Sequence, residues 1–140
     1  MTDNRVLTFQ DGTEAVVVNR ADGLGVGMLR RAALRQLILS TETNPVVGAR
    51  GRKLGIPVMQ SCGDKAQALE AMVRTEGIDL RRVLYVGNDW NDLEAMLRAG
   101  WPMAPRDANP VVKRAARVVL RASGGDGVAL EIAEMLLGKR

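Results

Sequence analysis

The chain has 140 residues and a hydrophobic content of 46%, which is enough for the core of one domain. It contains one cysteine and no histidine, which excludes an intrachain disulfide, a histidine-based zinc site and a histidine general base. The net charge of +4 is spread along the chain and aromatic residues make up only 3%, so we do not expect binding to nucleic acid. Neither a signal peptide nor a membrane-spanning run is recognisable, so we expect a cytoplasmic protein that does not bind membranes.

The first quarter of the chain predicts a β-hairpin followed by a helix. Residues 6–9 and 15–18 are rich in strand-forming residues and flank an Asp11-Gly12 turn. A polar loop is predicted at residues 19–23, and a helix with two internal glycines at residues 24–33.

Strands and helices of about ten residues alternate through the rest of the chain, which predicts an α/β fold with a parallel sheet. We see no linker or repeat, and so expect one domain over residues 1–140. The predicted strands are residues 36–39, 56–59, 83–86, 101–104 and 118–120. The predicted helices are residues 45–54, 65–75, 93–99, 110–116 and 128–137.

The densest group of polar side chains follows the predicted strand at residues 83–86. This strand is apolar, as expected of one buried on both faces, and the turn after it contains Asn88, Asp89 and Asp92. Ligands of open α/β sheets bind at the carboxyl ends of the strands, and oxygen ligands in a short turn suit Mg²⁺. The alternative is that these residues only form the turn and cap the next helix. Both interpretations remain open on local grounds.

Two other segments carry groups suited to a phosphate. Ser40 and Thr41 follow the strand at residues 36–39, and their hydroxyls either donate to phosphate oxygens or cap the next helix. Lys65 opens a helix, where its charge opposes the macrodipole, and this favours a functional lysine over a merely solvated one. Hydroxyls, a cation and a Mg²⁺ site at one sheet edge predict a phosphoryl-transfer pocket.

In chain order, these segments resemble motifs two, three and four of the haloacid dehalogenase-like phosphatases. Residues 37–40 match motif two, Lys65 matches motif three, and residues 87–92 (G-N-D-W-N-D) match motif four. Within that superfamily the chain resembles the 3-deoxy-manno-octulosonate 8-phosphate phosphatases and the phosphatase-like C-terminal domain of acylneuraminate cytidylyltransferases. The resemblance implies a Rossmann-like, three-layer α/β/α fold with a β-hairpin flap and no cap domain.

The resemblance also implies roles for individual residues. Ser40 would donate a hydrogen bond to the transferring phosphoryl group, and Lys65 would neutralise its charge. Asn88 would replace the Mg²⁺-binding carboxylate of the family, while Asp89 and Asp92 would either bind the metal or support its ligands. The residues at positions that contact the phosphorylated sugar acid are Asn19, Arg20, Asp22 and Arg50.

Three positions depart from the family pattern. The first motif, D-x-D-G-x-x-[ST]-D, carries the nucleophile and the general acid, but only its last two positions match, at Thr2 and Asp3. The nucleophile would therefore lie before Met1, and we expect this chain to lack both it and a central strand, and to be inactive or impaired. Glu42 and Asp126 stand where the octulosonate enzymes carry arginine, which argues against octulosonate as the substrate.

Two functional hypotheses share this fold. The first is a Mg²⁺-dependent phosphatase for an octulosonate- or nonulosonate-type sugar-acid phosphate. The second is an inactive module for binding or oligomerisation, linked to acylneuraminate cytidylyltransferase and CMP-sialic acid synthesis. The apolar hairpin predicts a homo-oligomer, a tetramer by resemblance; alternatively Leu7, Phe9 and Val17 pack on the domain's own core.

Overall fold

A computed structural model describes residues 2–138, and the predicted α/β class with parallel strand pairing is confirmed. The strands are β1 (Leu7–Thr8), β2 (Glu14–Ala15), β3 (Ile38–Leu39), β4 (Val58–Met59), β5 (Leu84–Val86), β6 (Trp101–Ala104) and β7 (Val118–Val119). The helices are α1 (Arg20–Arg31), α2 (Val46–Leu54), α3 (Lys65–Thr75), α4 (Leu93–Arg98), α5 (Pro110–Ala115) and α6 (Val128–Leu137). Short 3₁₀ turns precede β5 and α4, at Leu80–Arg82 and Trp90–Asp92.

The strands are arranged in three separate sheets. β1 and β2 form an antiparallel hairpin, β3 pairs in parallel with β4, and β5, β6 and β7 form a three-stranded parallel sheet. Within residues 2–138, β3 and β5 do not pair with each other, so the single parallel sheet expected from the sequence is divided into two. The motif-one strand implied by the family resemblance would precede Met1 and lies outside the described residues.

The core consists of two clusters of buried side chains on opposite faces of the β5–β7 sheet. Helices α3, α4 and α5 supply most of the first cluster, and α6 lies over the second. Tyr85 contacts the first cluster, whereas its neighbours Leu84 and Val86 pack against the second. β5 is therefore buried on both faces, as its apolar sequence predicts.

Helix α1 packs along α6 and begins four residues earlier than predicted. Asn19 caps α1 through its Oδ1 atom, which accepts a hydrogen bond of 2.8 Å from the backbone N–H of Ala21. The polar segment 19–23, predicted as a loop, thus forms the cap and first turn of the helix. Gly25 lets the two helices approach closely, because a Cβ atom there would overlap the backbone of Ala129.

The hairpin strands are shorter than predicted and their apolar side chains face solvent. Leu7 is 60% exposed, Phe9 49% and Val17 80%, so these side chains do not pack on the domain's own core. A hydrogen bond of 2.8 Å from Asn44 to Glu14 ties the hairpin to the loop after β3. None of the helices in residues 2–138 is both long and apolar enough to cross a bilayer.

Candidate active site

The loop after β5 folds tightly around one buried carboxylate, that of Asp92. Gly87 is required at the start of this loop, because a Cβ atom there would lie 2.5 Å from both Asp92 Cβ and Met96 Sδ. Asp89 and Asp92 then form a reciprocal capping box around the 3₁₀ turn. The sequence therefore places a rigid polar turn at the carboxyl end of β5, where α/β folds bind ligands.

Both oxygens of Asp92 are occupied by hydrogen-bond donors. Oδ1 accepts from Lys65 Nζ at 2.7 Å and from the Tyr85 hydroxyl at 2.9 Å. Oδ2 accepts from the backbone N–H groups of Asn88 at 2.9 Å and Asp89 at 3.2 Å. With four donors and an exposure of 3%, Asp92 supports the loop and the lysine. Asp92 is expected either to bind the metal or to support the residues that do, and this arrangement fits the supporting role.

Tyr85 lies beneath this pair, and its hydroxyl contacts Asp92. Burial, followed by the neighbouring Asp92 carboxylate, raises the pKa of Tyr85 far above its usual value of 10.0. The neutral phenol donates its proton to Asp92 Oδ1 and so helps to determine where the carboxylate lies.

Lys65 is the first residue of α3, and its side chain is only 10% exposed. Asp64 caps this helix by accepting hydrogen bonds from the backbone N–H groups of Ala66 and Gln67, so one carboxylate lies beside the helix N-terminus. Lys65 Nζ also donates to Asn91 Oδ1 at 3.3 Å. The ammonium group of the lysine is thus held by two residues of one loop, the loop after β5.

The loops after β3 and β5 meet through the side chain of Asn91. Its Nδ2 atom donates to Thr41 Oγ1 at 3.1 Å, while its Oδ1 atom accepts from Lys65. Ser40, the residue before Thr41, is half-buried, and its hydroxyl oxygen accepts from the backbone N–H of Glu42 at 3.1 Å. The hydroxyl proton of Ser40 remains available to donate, as a phosphate contact requires.

The described residues do not form a complete metal site. No group of three or more acidic, cysteine or histidine side chains is placed to hold a metal ion in residues 2–138. Asn88 donates through Nδ2 to Asn4 Oδ1 at 2.9 Å, so only its neutral amide oxygen is suited to a cation. Asp89 is exposed, but its Oδ1 atom accepts from the backbone N–H of Trp90 at 2.8 Å.

Comparison with known proteins decides the family. A family model described as haloacid dehalogenase-like hydrolase matches residues 36–132. The chain belongs to the haloacid dehalogenase-like hydrolases. The match runs from just before β3 into α6 and includes Lys65 and the complete loop after β5.

Two kinds of relative share this dehalogenase-like sequence. The 3-deoxy-D-manno-octulosonate 8-phosphate phosphatase of Haemophilus influenzae is 30% identical, with 98% of this chain and 77% of that protein covered. The N-acylneuraminate cytidylyltransferase of Oncorhynchus mykiss is 31% identical, with 98% of this chain and 33% of that protein covered. The chain therefore spans about a third of the length of the cytidylyltransferases that it matches.

Solved structures of dehalogenase-like proteins superimpose closely on this fold. A Streptomyces avermitilis protein described as a HAD family hydrolase has a TM-score of 0.96 and 52% identity, and the match covers 99% of this chain and 79% of that one. The 3-deoxy-D-manno-octulosonate 8-phosphate phosphatase of Moraxella catarrhalis was solved with magnesium, phosphate and 3-deoxy-manno-octulosonate. It has a TM-score of 0.93 and 27% identity, and the match covers 98% of this chain and 79% of that one.

The four residues expected to contact substrate lie in different environments. Asn19 is bound on three sides: its Oδ1 atom caps α1, its carbonyl accepts from Arg50 Nη2 at 3.1 Å, and its Nδ2 atom donates to Asp126 at 3.4 Å. Arg20 is exposed at the start of α1. Asn19, Arg50 and Asp126 therefore join α1, α2 and the glycine-rich loop before α6.

Asp22, the remaining residue of this group, is buried. Asp22 is 3% exposed, and its Oδ1 atom accepts from the backbone N–H of Ala129 at 2.9 Å. Its Oδ2 atom is buried without a hydrogen-bond partner among the described residues. Because the carboxylate lies between α1 and the N-terminus of α6, it stabilises a helix contact, and its contact with substrate stays a prediction.

Three residues that matter here were not singled out from the sequence. The strand pattern predicts only that Tyr85 is buried, although a tyrosine in an aliphatic strand needs a partner for its hydroxyl. The local pattern predicts Asn91 only as a turn or capping residue, whereas its side chain joins two loops. Asp64 was recognisable as a cap, because a helix begins directly after it.

Proposed function

We propose that this chain is a phosphatase-type domain that binds a phosphorylated sugar acid between the loops after β3 and β5. The observation that carries the proposal is the position of Lys65. Its ammonium group has two partners within the described residues, Asp92 and Asn91, which leaves a third N–H donor for a phosphate oxygen. A cation held in place in this way stabilises the charge of a transferring phosphoryl group without reorganisation.

The substrate class is supported by the relatives rather than by the site alone. Two of them are named as 3-deoxy-D-manno-octulosonate 8-phosphate phosphatases, and one of these was solved with phosphate and the sugar acid bound. Glu42 and Asp126 replace arginines expected in such enzymes, so we favour a nonulosonate-type or other sugar-acid phosphate over octulosonate itself. We place the phosphate beside Lys65 and Ser40, and the sugar towards Arg20 and Arg50.

The nucleophile is the part of the proposal that this 140-residue chain does not supply. Aspartyl-phosphate chemistry needs a free carboxylate in line with the phosphorus atom. Near this sheet edge, Asp92 is fully hydrogen-bonded and Asp89 caps a turn, while Asp3 lies 3.6 Å from Arg5 in an ion pair. Each of these three carboxylates is engaged in hydrogen bonds or an ion pair, so we propose that none of them is the nucleophile.

The unpaired edges of β3 and β5 support the same conclusion. The backbone groups of Val83 and Gly87 form hydrogen bonds with β6. Because backbone groups alternate along a strand, those of Leu84 and Val86 point to the opposite edge of β5, where no described strand pairs with them. Likewise, the backbone groups of Ile38 and Ser40 form hydrogen bonds with the β4 segment, so those of Leu39 point to the other edge of β3. A strand that carries the nucleophile, inserted between the two sheets, would satisfy both edges.

A divalent metal is part of the proposed chemistry of the complete enzyme, where it would neutralise phosphate charge. In this chain the available donors are the amide oxygen of Asn88 and the exposed carboxylate of Asp89, which do not fit Mg²⁺ by themselves. We therefore propose weak Mg²⁺ binding by the chain as it stands.

The test is hydrolysis of p-nitrophenyl phosphate. We expect the 140-residue chain to be indistinguishable from a blank, and an extension that places a D-x-D-G strand before Thr2 to confer activity. In the extended protein Lys65→Ala should remove that activity, whereas Lys53→Ala, at an exposed lysine of α2, should not. Robust turnover by the chain alone, lost in Lys65→Ala, would show that the nucleophile lies within it.

A second candidate is an inactive module for binding or oligomerisation, associated with acylneuraminate cytidylyltransferases. It is favoured by two observations: a neutral Asn88 at the metal position, and exposed apolar side chains along the hairpin. The extension experiment separates the two candidates, because a module of this kind gains no hydrolysis when the D-x-D-G strand is supplied.

A further inference from the structure

Asn88 stands at the metal position of the family resemblance, but its side chain acts as a hydrogen-bond donor in this structure. Its Nδ2 atom donates to Asn4 Oδ1 at 2.9 Å, a contact between residues 84 positions apart. A side-chain amide carries two N–H donors, so one of them remains after this contact. An N–H group does not bind a cation, whereas a phosphate oxygen accepts a hydrogen bond from it.

The backbone of Asn88 holds this residue beside Lys65. The N–H of Asn88 donates to Asp92 Oδ2 at 2.9 Å, and Lys65 Nζ donates to Oδ1 of the same carboxylate at 2.7 Å. The carbonyl of Asn88 accepts from the backbone N–H of Asn109 at 2.9 Å. Two oxygens of one buried carboxylate therefore hold Asn88 and Lys65 as neighbours.

Asn4, the partner of the Asn88 amide, is itself held in place. Its φ of 62° lies in the left-handed region, which asparagine adopts more readily than most other residues. Asp3 Oδ1 accepts from the backbone N–H two residues later at 3.1 Å, so a local hydrogen bond spans Asn4. The carbonyl of Thr2 packs against Gly124, where a Cβ atom would overlap it. The segment 2–4 thus lies between the glycine-rich loop and the loop after β5.

We propose that Asn88 donates a side-chain N–H to the phosphate held at Lys65, and that Asn4 is the positioning residue that orients this donor. This inference rests on the proposed function and adds to it that the 140-residue chain binds phosphate without Mg²⁺. A carboxylate at position 88 would repel the phosphate unless a cation lay between them, whereas a neutral amide contacts it directly. Because Asn4 holds the amide before phosphate arrives, less side-chain entropy is lost on binding.

Titration of the ¹⁵N-labelled 140-residue chain with inorganic phosphate, in EDTA and then in Mg²⁺, tests the proposal. The backbone amide signals of residues 87–92 report binding. Asn88→Ala removes the donor, and Asn88→Asp replaces it with a carboxylate. Asn4→Gly removes the acceptor at a backbone conformation that glycine adopts readily. Lys65→Ala tests the proposed function separately.

We expect the wild type to bind phosphate with the same affinity in EDTA and in Mg²⁺. Asn88→Ala should weaken binding by about ten- to hundredfold, the range for one hydrogen bond to a charged group. Asn4→Gly should weaken it by about two- to tenfold, the effect of orienting one side chain. In the Asn88→Ala background Asn4→Gly should have no further effect, because no amide is left to orient.

Asn88→Asp provides the measurement that a purely structural contact would not change. This variant should bind phosphate more tightly in Mg²⁺ than in EDTA, because its carboxylate now needs a cation beside the phosphate. If the Asn4–Asn88 contact only held the N-terminal segment in place, the same substitution would leave the metal dependence of phosphate binding as it is in the wild type, and the inference would fail.

Four further results would overturn the inference. If Asn88→Ala binds phosphate as the wild type does while Lys65→Ala does not, Asn88 makes no contact and only the proposed function stands. If the wild type binds phosphate only in Mg²⁺, a metal ion holds the phosphate instead. If Asn4→Gly weakens binding equally with and without the Asn88 amide, Asn4 acts through the fold of its segment. If phosphate shifts no signal of the wild-type loop, the proposed function fails and this inference fails with it.

Discussion

Lys65 Nζ lies 2.7 Å from Asp92 Oδ1, and the side chains are only 10% and 5% exposed. The partners are 27 positions apart in the chain, on α3 and on the loop after β5. A buried ion pair contributes little net stability, but removing one partner leaves an uncompensated charge. The pair therefore fixes the geometry of the site and makes it sensitive to either substitution.

Asp92→Asn should destabilise the protein by about 3–5 kcal/mol, because it leaves the Lys65 charge buried without its carboxylate. Urea unfolding followed by circular dichroism measures this. The matched control is Glu76→Gln, because Glu76 pairs with Arg35 at the same distance of 2.7 Å but on the surface, with side-chain exposures of 47% and 69%. We expect the control to change stability by less than about 1 kcal/mol. Equal effects of the two substitutions would show that the Lys65–Asp92 pair is not effectively buried.

Tyr85 should resist ionisation, and the measurement is free of interference because the chain has no other tyrosine. Burial and the Asp92 carboxylate raise its pKa, so tyrosinate absorbance should not appear near pH 10 but only when the protein unfolds. The pKa of the folded state lies above that of the unfolded state. The resulting stability is therefore complete below pH 10 and is lost as the pH rises above it.

The Tyr85→Phe variant separates the contribution of Tyr85 to the pH dependence of stability from the contribution of the lysines. The variant should lose about 1.5–3 kcal/mol at neutral pH, the range for a hydrogen bond to a charged group. Its stability should then fall less steeply than that of the wild type above pH 10. Normal tyrosinate titration in the folded wild type would contradict the hydrogen bond to Asp92.

Mg²⁺ should bind weakly to the 140-residue chain. Affinity for hard cations increases with the negative charge of the ligands, and the Asn88 side chain is neutral. Calorimetric titration should show a dissociation constant of roughly a millimolar or no detectable binding, the weak end for oxygen-ligand sites. Asn88→Asp, which restores a carboxylate, should tighten binding. Micromolar affinity in the wild type would mean that the described donors form a better site than their contacts indicate.

The hairpin is expected to mediate self-association. Leu7 and Val17 are 60% and 80% exposed, and an exposed apolar hairpin is a favourable surface for pairing. In sedimentation velocity, the wild type should form an oligomer, a tetramer by resemblance to the family. The double variant Leu7→Asp/Val17→Asp should shift it to smaller species. Leu97→Asp, at a 62% exposed site on α4, is the control and should not. A folded wild-type monomer, unchanged by the hairpin substitutions, would exclude this interface.

The class of fold, the order of the elements and the three segments that carry the candidate site are all predictable from the sequence. These follow from local signals: buried strands read as short apolar runs, helices begin after capping residues, and ligands collect at the carboxyl ends of parallel strands. Lys65 is recognisable from its charge at a helix start, and the turn at residues 87–92 from its polar side chains after a buried strand. Their placement side by side follows from the α/β topology.

Which polar groups are free to bind a ligand depends on the packing of distant elements. Asp22 and Asp92 look alike in the sequence, as acidic residues near a helix start. One is bound to Ala129, 107 positions away, and the other holds Lys65 and Tyr85. Whether a carboxylate is free for a ligand or used as internal support depends on donors contributed by distant elements. Those contacts form only when the helices and strands pack, so no local pattern encodes them.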